Sequence, residues 1–179
     1  MMGKKRRVIF RTDCNSQIDL GHIDSAKLYL REATEGDTML LFKWANDPVV
    51  RKNSFNQNFI TIENHRNWCK AALEDEQTLL YIVEAAGKPI AQIRFNINSG
   101  RATISYLIDA HFRGLGLGLR LLQKGIQALK AKRSDIEQVE GLVQRGNIAS
   151  VHTFEKAGFS YGQPYMEHPQ AHRFILQLK

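Results

Sequence analysis

The stretch whose residue types most directly suggest chemistry is His111-Phe112-Arg113-Gly114-Leu115-Gly116-Leu117-Gly118-Leu119. An apolar, strand-like run from Ala102 to Ala110 leads into it. Leu115, Leu119, Leu122, Ile126 and Leu129 lead out of it at the spacing of one helix face. Glycines at such a junction let the backbone approach a ligand and adopt positive φ at little cost. The first N–H groups of the helix have no partner inside it. Together they make an anion site suited to a pyrophosphate. Two nucleotide loops are excluded. A Walker loop ends in Gly-Lys-Ser/Thr, whereas Gly118 is followed by Leu119 and Arg120. A Rossmann fingerprint needs its third glycine three residues after the second, which Gly114, Gly116 and Gly118 do not give. What remains is Arg-x-x-Gly-x-Gly on Arg113, Gly116 and Gly118, or a glycine-rich connection with no ligand.

A second stretch runs from Asn147 through Ser150, Phe154 and Lys156 to Gly158-Phe159. Asn147 suits a helix N-cap, and Gly158 suits the residue just past a helix end, where positive φ is common. The two stretches, in this order, resemble the GNAT acetyltransferases. Arg113-x-x-Gly116-x-Gly118 resembles their acetyl-CoA pyrophosphate loop, and Asn147 to Phe159 their Asn-x-x-Ala/Ser-x-x-x-Tyr-x-Lys-x-Gly-Phe helix. The resemblance spans roughly Leu28 to the C-terminus. It implies an α/β (α+β) fold with a central mixed, mostly antiparallel sheet flanked by helices. It also implies acetyl-CoA as cofactor, with no metal. Arg113, Gly114, Leu115, Gly116, Leu117, Gly118 and Leu119 would meet the phosphates, and Asn147, Ser150 and Phe154 would line the later helix. The backbone of Leu107, Ile108 and Asp109 would pair with the pantetheine arm.

Acetyl transfer from a thioester to an amine needs a neutral amine, a stabilised oxyanion, close reactants and a protonated or solvated leaving thiolate. The family often protonates the thiolate with the tyrosine of its last motif. Here that position is Phe154, which has no proton to give. Ser150, one turn earlier, is a poor acid. A free thiol titrates near about 8.5, so solvent is expected to serve the thiolate, with no essential acid on that helix. A histidine suits the base near neutral pH. His65 lies on a helix that in this fold borders the acceptor; His111 and His152 are further candidates. Each has a bland reading as a surface or capping histidine.

These groups require positioning elements. Leu28 and Leu30 alternate with Tyr29 and Arg31 in a first strand, Lys27 to Ala33. Thr34-Glu35-Gly36-Asp37 reads as a capping box for a helix through Met39 to Ala45 that stops before Pro48. Ile62, His65, Cys69, Ala72 and Leu73 share a second helical face. Strands follow over Thr78–Ala85 and Pro89–Ile97, with turns at Ala86-Gly87-Lys88 and Asn98–Arg101. After the long helix come a strand over Ile136–Val143, the Asn147 helix, and a closing hairpin of Phe159–Gly162 with His172–Leu178. The loop Gln163–Ala171 is a candidate substrate wall.

At 179 residues a single core is expected, with residues 1–26 a leader and 27–179 the acetyltransferase domain. Cys14 and Cys69 make no metal-ligand spacing and suggest no disulfide framework, so a cytoplasmic, reducing setting is expected. No apolar run is long enough for a membrane span. The formal net charge of +7 suits polyanionic ligands. Lys4-Lys5-Arg6-Arg7 precedes no nucleic-acid module, so no nucleic acid is expected as partner. A homodimer stays open.

The acceptor is addressed by Trp44-Ala45-Asn46-Asp47-Pro48 to Phe55, followed by Ile62 to Trp68. These stretches resemble the acetyltransferases of the pseudaminic acid pathway, which act on a UDP-linked 4-amino-sugar. Arg11, Asp13, Ile18, Gly21 and His22 resemble the start of that pathway's nucleotide-sugar hydrolase, as a remnant too short to be that enzyme. An ordinary leader remains the other reading. Trp44, Phe55 and Trp68 would stack on a uracil or sugar face, Arg51 with Lys52 and Arg66 would meet the diphosphate, and His65 would face the amine. Two alternatives stay open. One is acetylation of a ribosomal protein or peptide N-terminus. The other is a non-catalytic acyl-CoA-binding module.

Overall fold

The computed structural model describes residues 27–178. The hydrolase-like stretch from Arg11 to His22, and the leader to which it belongs, lie outside the described residues. Among the described residues no helix is long and apolar enough to cross a membrane, and no group of three or more His, Cys, Asp or Glu side chains could hold a metal ion.

Alternating side chains build the first strands. β1 is Leu28–Glu32, β2 Thr78–Ala85, β3 Lys88–Asn98 and β4 Arg101–Ile108. The last three form a meander through two-residue turns. Ala86-Gly87 and Ser99-Gly100 all take positive φ (49°, 72°, 48° and 76°). That backbone matches the strand twist of a tight hairpin. Three more strands follow, β5 Gln138–Gln144, β6 Ser160–Tyr161 and β7 Ala171–Gln177. The sheet order is β1-β2-β3-β4-β5-β7-β6. Every neighbouring pair is antiparallel except β4 and β5.

Among the described residues five α-helices cover the sheet: α1 Thr38–Ala45, α2 Pro48–Lys52, α3 Ile62–Glu74, α4 Leu117–Lys132 and α5 Ile148–Lys156. Strand β2 shows why both faces need cover. Leu79, Tyr81 and Val83 join the large core that includes Leu121, Leu122 and Leu129 of α4 and Phe154 of α5. Leu80 and Ile82 join a smaller core with Leu41 and Trp44 of α1 and Cys69 of α3.

Two local expectations need correction. The buried face of α4 is Leu117, Leu121, Leu122, Gly125 and Leu129. Leu115 precedes the helix, because the chain enters it through left-handed Gly116. Strand β4 ends at Ile108, and Ala110–Phe112 is a short 3-10 turn. The helix through Met39 to Ala45 stops before Pro48 as expected, and Pro48 then opens a short further helix, α2, that the sequence reading did not place. Proline is preorganised for the first helical turn, and the Asp47 carboxylate accepts hydrogen bonds from Val49 N–H and Val50 N–H at 3.0 and 3.1 Å.

Candidate active site

The glycine turn has the geometry of an open cradle. Gly114 and Gly116 take φ of 76° and 70°. A Cβ built on either would meet nothing within 4 Å. Helix α4 starts at Leu117 with no side-chain cap, so its first N–H groups are left for an external partner. Gly118 has a different role. A Cβ there would stand 2.9 Å from Thr153 Oγ1, so this glycine lets α4 and α5 pack closely. Arg113 does not point its whole guanidinium at that cradle. Its Nε donates to Ile108 O at 2.9 Å and its Nη2 to Asp47 Oδ1 at 2.7 Å. Burial pushes the Asp47 carboxyl up, but Arg113 and the two α2 N–H groups outweigh it and hold it below its ordinary range.

Strands β4 and β5 pair only from Arg101 to Thr103 against Gln138 to Glu140. Beyond that the β4–β5 pairing ends, while β5 stays paired with β7 as far as Gln144 and Ala171. Backbone phase decides which β4 groups face the gap. Asp109 N–H donates to Ile90 O on the β3 side, while Gly100 O accepts from Glu137 N–H on the β5 side. Successive residues alternate, so Leu107 and Asp109 turn to β3 while Tyr106 and Ile108 turn to the gap. The expected backbone set of Leu107, Ile108 and Asp109 is therefore corrected to Tyr106 and Ile108, with the Ile108 carbonyl already held by Arg113.

Two groups meet at the inner end of the gap. Tyr106 OH lies 3.2 Å from Ser150 Oγ, on the first turn of α5. Asn147 caps that helix, its side-chain oxygen accepting from Ser150 N–H at 3.3 Å. Phe154 is not exposed to the gap. It is 2% accessible, stacked on Phe174 at 5.2 Å, and a Cβ on Gly141 would fall 2.4 Å from its ring. Phe154 is a core residue, which corrects its place among cofactor contacts.

The acceptor residues expected from sequence largely turn inward. Trp44 is 3% accessible, and its indole N–H donates to Asp109 Oδ2 at 2.6 Å. It cannot stack on a ligand; it holds the strand end from which the glycine turn departs. Burial raises the Asp109 carboxyl, but His111 N–H, the Trp44 indole and the His111 ring together keep it below its ordinary range. Arg51 donates to the carbonyls of Ala45, Asn56 and Asn58 and to Ser54 Oγ. It curls the loop after α2 rather than meeting a diphosphate. His65 is 2% accessible, packed against Phe42 and Trp68, with no hydrogen-bond partner for Nε2. Burial pushes its pKa down, partly offset by a hydrogen bond to the Thr38 backbone. It is a core histidine, not an acceptor-facing base. Trp68 carries the Arg94 guanidinium over its ring at 5.4 Å.

Only Phe55 of that set reaches an open rim. It stacks on His168 with ring centroids 4.0 Å apart, and Tyr165 lies 6.2 Å beyond. His168 comes from the 163–170 loop expected as a wall. The α2 segment spans the mouth of the gap, tied to the glycine turn through Asp47–Arg113 and to the end of β5 through Gln144 Nε2, which donates to Ser54 O at 2.7 Å. Lys52 and Arg145, both exposed, neighbour that second tie. Sequence reading missed Tyr106 and His168. No motif marks either, and only the divergence of β4 from β5 gives Tyr106 its place.

The chain matches the model of the acetyltransferase (GNAT) domain over residues 27–160. No curated protein matches it. Three solved structures are similar in fold. A domain from Methanocaldococcus jannaschii DSM 2661 has a TM-score of 0.75 at 20% identity, covering 86% of this chain and 99% of that one. A spermidine N-acetyltransferase from Vibrio cholerae, in complex with CoA and spermine, has a TM-score of 0.76 at 17% identity, covering 84% and 95%. An aminoglycoside acetyltransferase in complex with coenzyme A has a TM-score of 0.73 at 19% identity, covering 85% and 95%.

Proposed function

The chain belongs to the GNAT acetyltransferase family, and from that premise we propose that it transfers acetyl from acetyl-CoA to the 4-amino group of a UDP-linked 4-amino-4,6-dideoxy-sugar. The observation that carries the CoA half is the cradle of Gly114 and Gly116, open to approach at an uncapped helix start. A bound acetyl-CoA supplies an activated acyl thioester. The residues of the chain hold and orient it. First-turn N–H groups of α4 meet the pyrophosphate, where the helix dipole favours negative charge. Ile108 N–H and the Tyr106 backbone offer the free edge of β4 to the pantetheine arm.

Two features support the acceptor. The Trp44–Phe55 and Ile62–Trp68 stretches resemble the sugar-nucleotide branch, although their inward residues shape the site rather than touch the ligand. The rim supplies what Trp44 and Arg51 do not: a Phe55–His168 stack for a planar base, with Lys52 and Arg145 for a diphosphate. A formal charge of +7 suits such an acceptor better than the polycations named for the spermidine and aminoglycoside enzymes. The test compares kcat/KM for the UDP-4-amino-sugar, the same sugar without UDP, spermidine and a ribosomal N-terminal peptide. The UDP-sugar is expected to win, with its advantage shrinking as salt rises. Equal rates for the free sugar would remove the nucleotide. A peptide preference would assign the chain to the protein-acetylating branch. Acetyl-CoA binding without turnover of any amine would make it a non-catalytic module.

A further inference from the structure

The phenol that α5 lacks is present on the opposite wall of the gap. We propose that Tyr106 is the acid that protonates the departing CoA thiolate, with Ser150 as the residue that positions it. The inference rests on the acetyl-CoA reading above.

Tyr106 lies three residues past Thr103, the last β4 residue paired with β5. Its backbone faces the gap, and its side chain rises on the same side as Ala102 and Ile104, toward α5. There its hydroxyl meets Ser150 Oγ at 3.2 Å. Ser150 is fixed by the Asn147 cap one turn of chain before it. The glycine turn sits at the outer end of the free β4 edge and the Tyr106–Ser150 pair at the inner end. A pantetheine arm held along that edge, with its pyrophosphate at the glycine turn, would place its sulfur within reach of the phenol. Phe154, sealed among Phe159, Phe174 and Gly141, carries no proton to give.

The step balances. The neutral amine attacks the thioester carbon, the C–N bond forms and the C–S bond breaks. The sulfur takes the electron pair of the C–S bond and the Tyr106 proton. The amine gives up one proton on becoming an amide. That proton returns through Ser150 Oγ or solvent to the phenolate, so amine plus thioester yields amide plus free thiol.

The experiment is Tyr106→Phe, assayed with two donors: acetyl-CoA and S-acetyl thiophenol, whose thiol is more acidic. Calorimetry should give an acetyl-CoA Kd within about two-fold of wild type. Turnover with acetyl-CoA should fall by about 10²-fold, the low end for a general acid. With the aryl thioester the penalty should shrink to a few-fold, because a better leaving group needs less protonation. Ser150→Ala, which keeps the phenol and removes its partner, should show a smaller loss with the same donor dependence. It serves as the second variant if Tyr106→Phe does not fold. Equal penalties for both donors, or lost affinity at unchanged kcat, would overturn the assignment. A wild type that binds no acetyl-CoA would overturn the CoA site itself, which is a separate failure visible before any variant is made.

Discussion

The two sides of the β4–β5 gap use their polar groups in opposite ways. On the α4–α5 side the N–H groups past Gly116, the gap-facing edge of β4 at Tyr106 and Ile108 N–H, and the Tyr106 hydroxyl beside Ser150 Oγ are turned toward the gap. On the α1–α3 side Trp44, Arg51 and His65 look like ligand-binding residues in the sequence, yet each, like Asp47 beside them, is spent internally. Trp44 holds Asp109, Arg51 holds a loop, Asp47 caps α2 and holds Arg113, and His65 fills a core. Residue type therefore misleads on the second side, where a polar side chain is as useful for shaping a wall as for touching a substrate.

The largest expected effect lies on the α4–α5 side. Gly116→Asp places a carboxylate where a pyrophosphate would approach. Aspartate tolerates left-handed φ, and open space surrounds the Cβ, so the fold should persist. Repulsion between near charges is worth about 4 kcal/mol at an effective dielectric constant of 20. Acetyl-CoA affinity should fall by about 10²-fold or more in calorimetry. Unchanged affinity in a folded variant would end the cradle reading. Gly118→Ala is the matched control. Its Cβ would press on Thr153, costing about 1–3 kcal/mol of stability, while acetyl-CoA affinity should stay within a few-fold.

What was legible follows the same divide. The meander, the capping box at Thr34–Asp37, the Asn147 cap and the positive φ of Gly158 were readable because each depends on local backbone demand that few residue types meet. The three-residue extent of the β4–β5 pairing was not, since where a parallel ladder between distant segments ends carries no local sequence signal. Neither Tyr106 nor the inward turn of Arg51 carries a local signature. Asp47-Pro48 was legible as a stop, which α1 obeys by ending at Ala45, but not as the start of α2, which Asp47 caps through the Val49 and Val50 N–H groups.

Next in size is Trp44→Phe. It keeps the packing and deletes one donor to a buried carboxylate. Hydrogen bonds to charged groups are worth about 1.5–3 kcal/mol, which is about 3–12 °C in Tm for a chain of this length. Asp109 should titrate higher, because one of the bonds that outweighs its burial is gone. A variant as stable as wild type would mean that Trp44 is free to serve a ligand after all. Phe154→Tyr should move turnover by no more than a few-fold while costing about 1–3 kcal/mol for an extra atom over Gly141. A rise of two orders of magnitude would show the wild type to be short of an acid, against the role given to Tyr106.

The smallest effect tests the inward side most sharply. His65 has a pKa held below its ordinary value by burial, with the Thr38 hydrogen bond opposing. The unfolded chain, with a histidine near about 6.5, therefore binds more protons than the folded one as pH falls below that value. Stability rises with pH wherever the unfolded state binds more protons. The contribution of His65 is thus fully present above about pH 7.5 and is lost as pH falls from about 6.5 toward its folded pKa. The carboxylates do not confound this window. Asp37 is held to about 2, chiefly by Arg31, and Asp47 and Asp109 also lie below their ordinary range, so their losses come in more acid solution. His65→Leu removes the partnerless Nε2 together with the ring's one hydrogen bond, to the Thr38 backbone, and keeps much of the volume. Chemical denaturation at pH 7.5 should differ from wild type by no more than about 1 kcal/mol, while the decline between pH 7 and pH 5 should be visibly flatter. Turnover at pH 7.5 should stay within a few-fold. If the slope is unchanged and turnover drops by about 10²-fold instead, His65 is a base reached by the acceptor, and the contrast between the two sides of the gap fails.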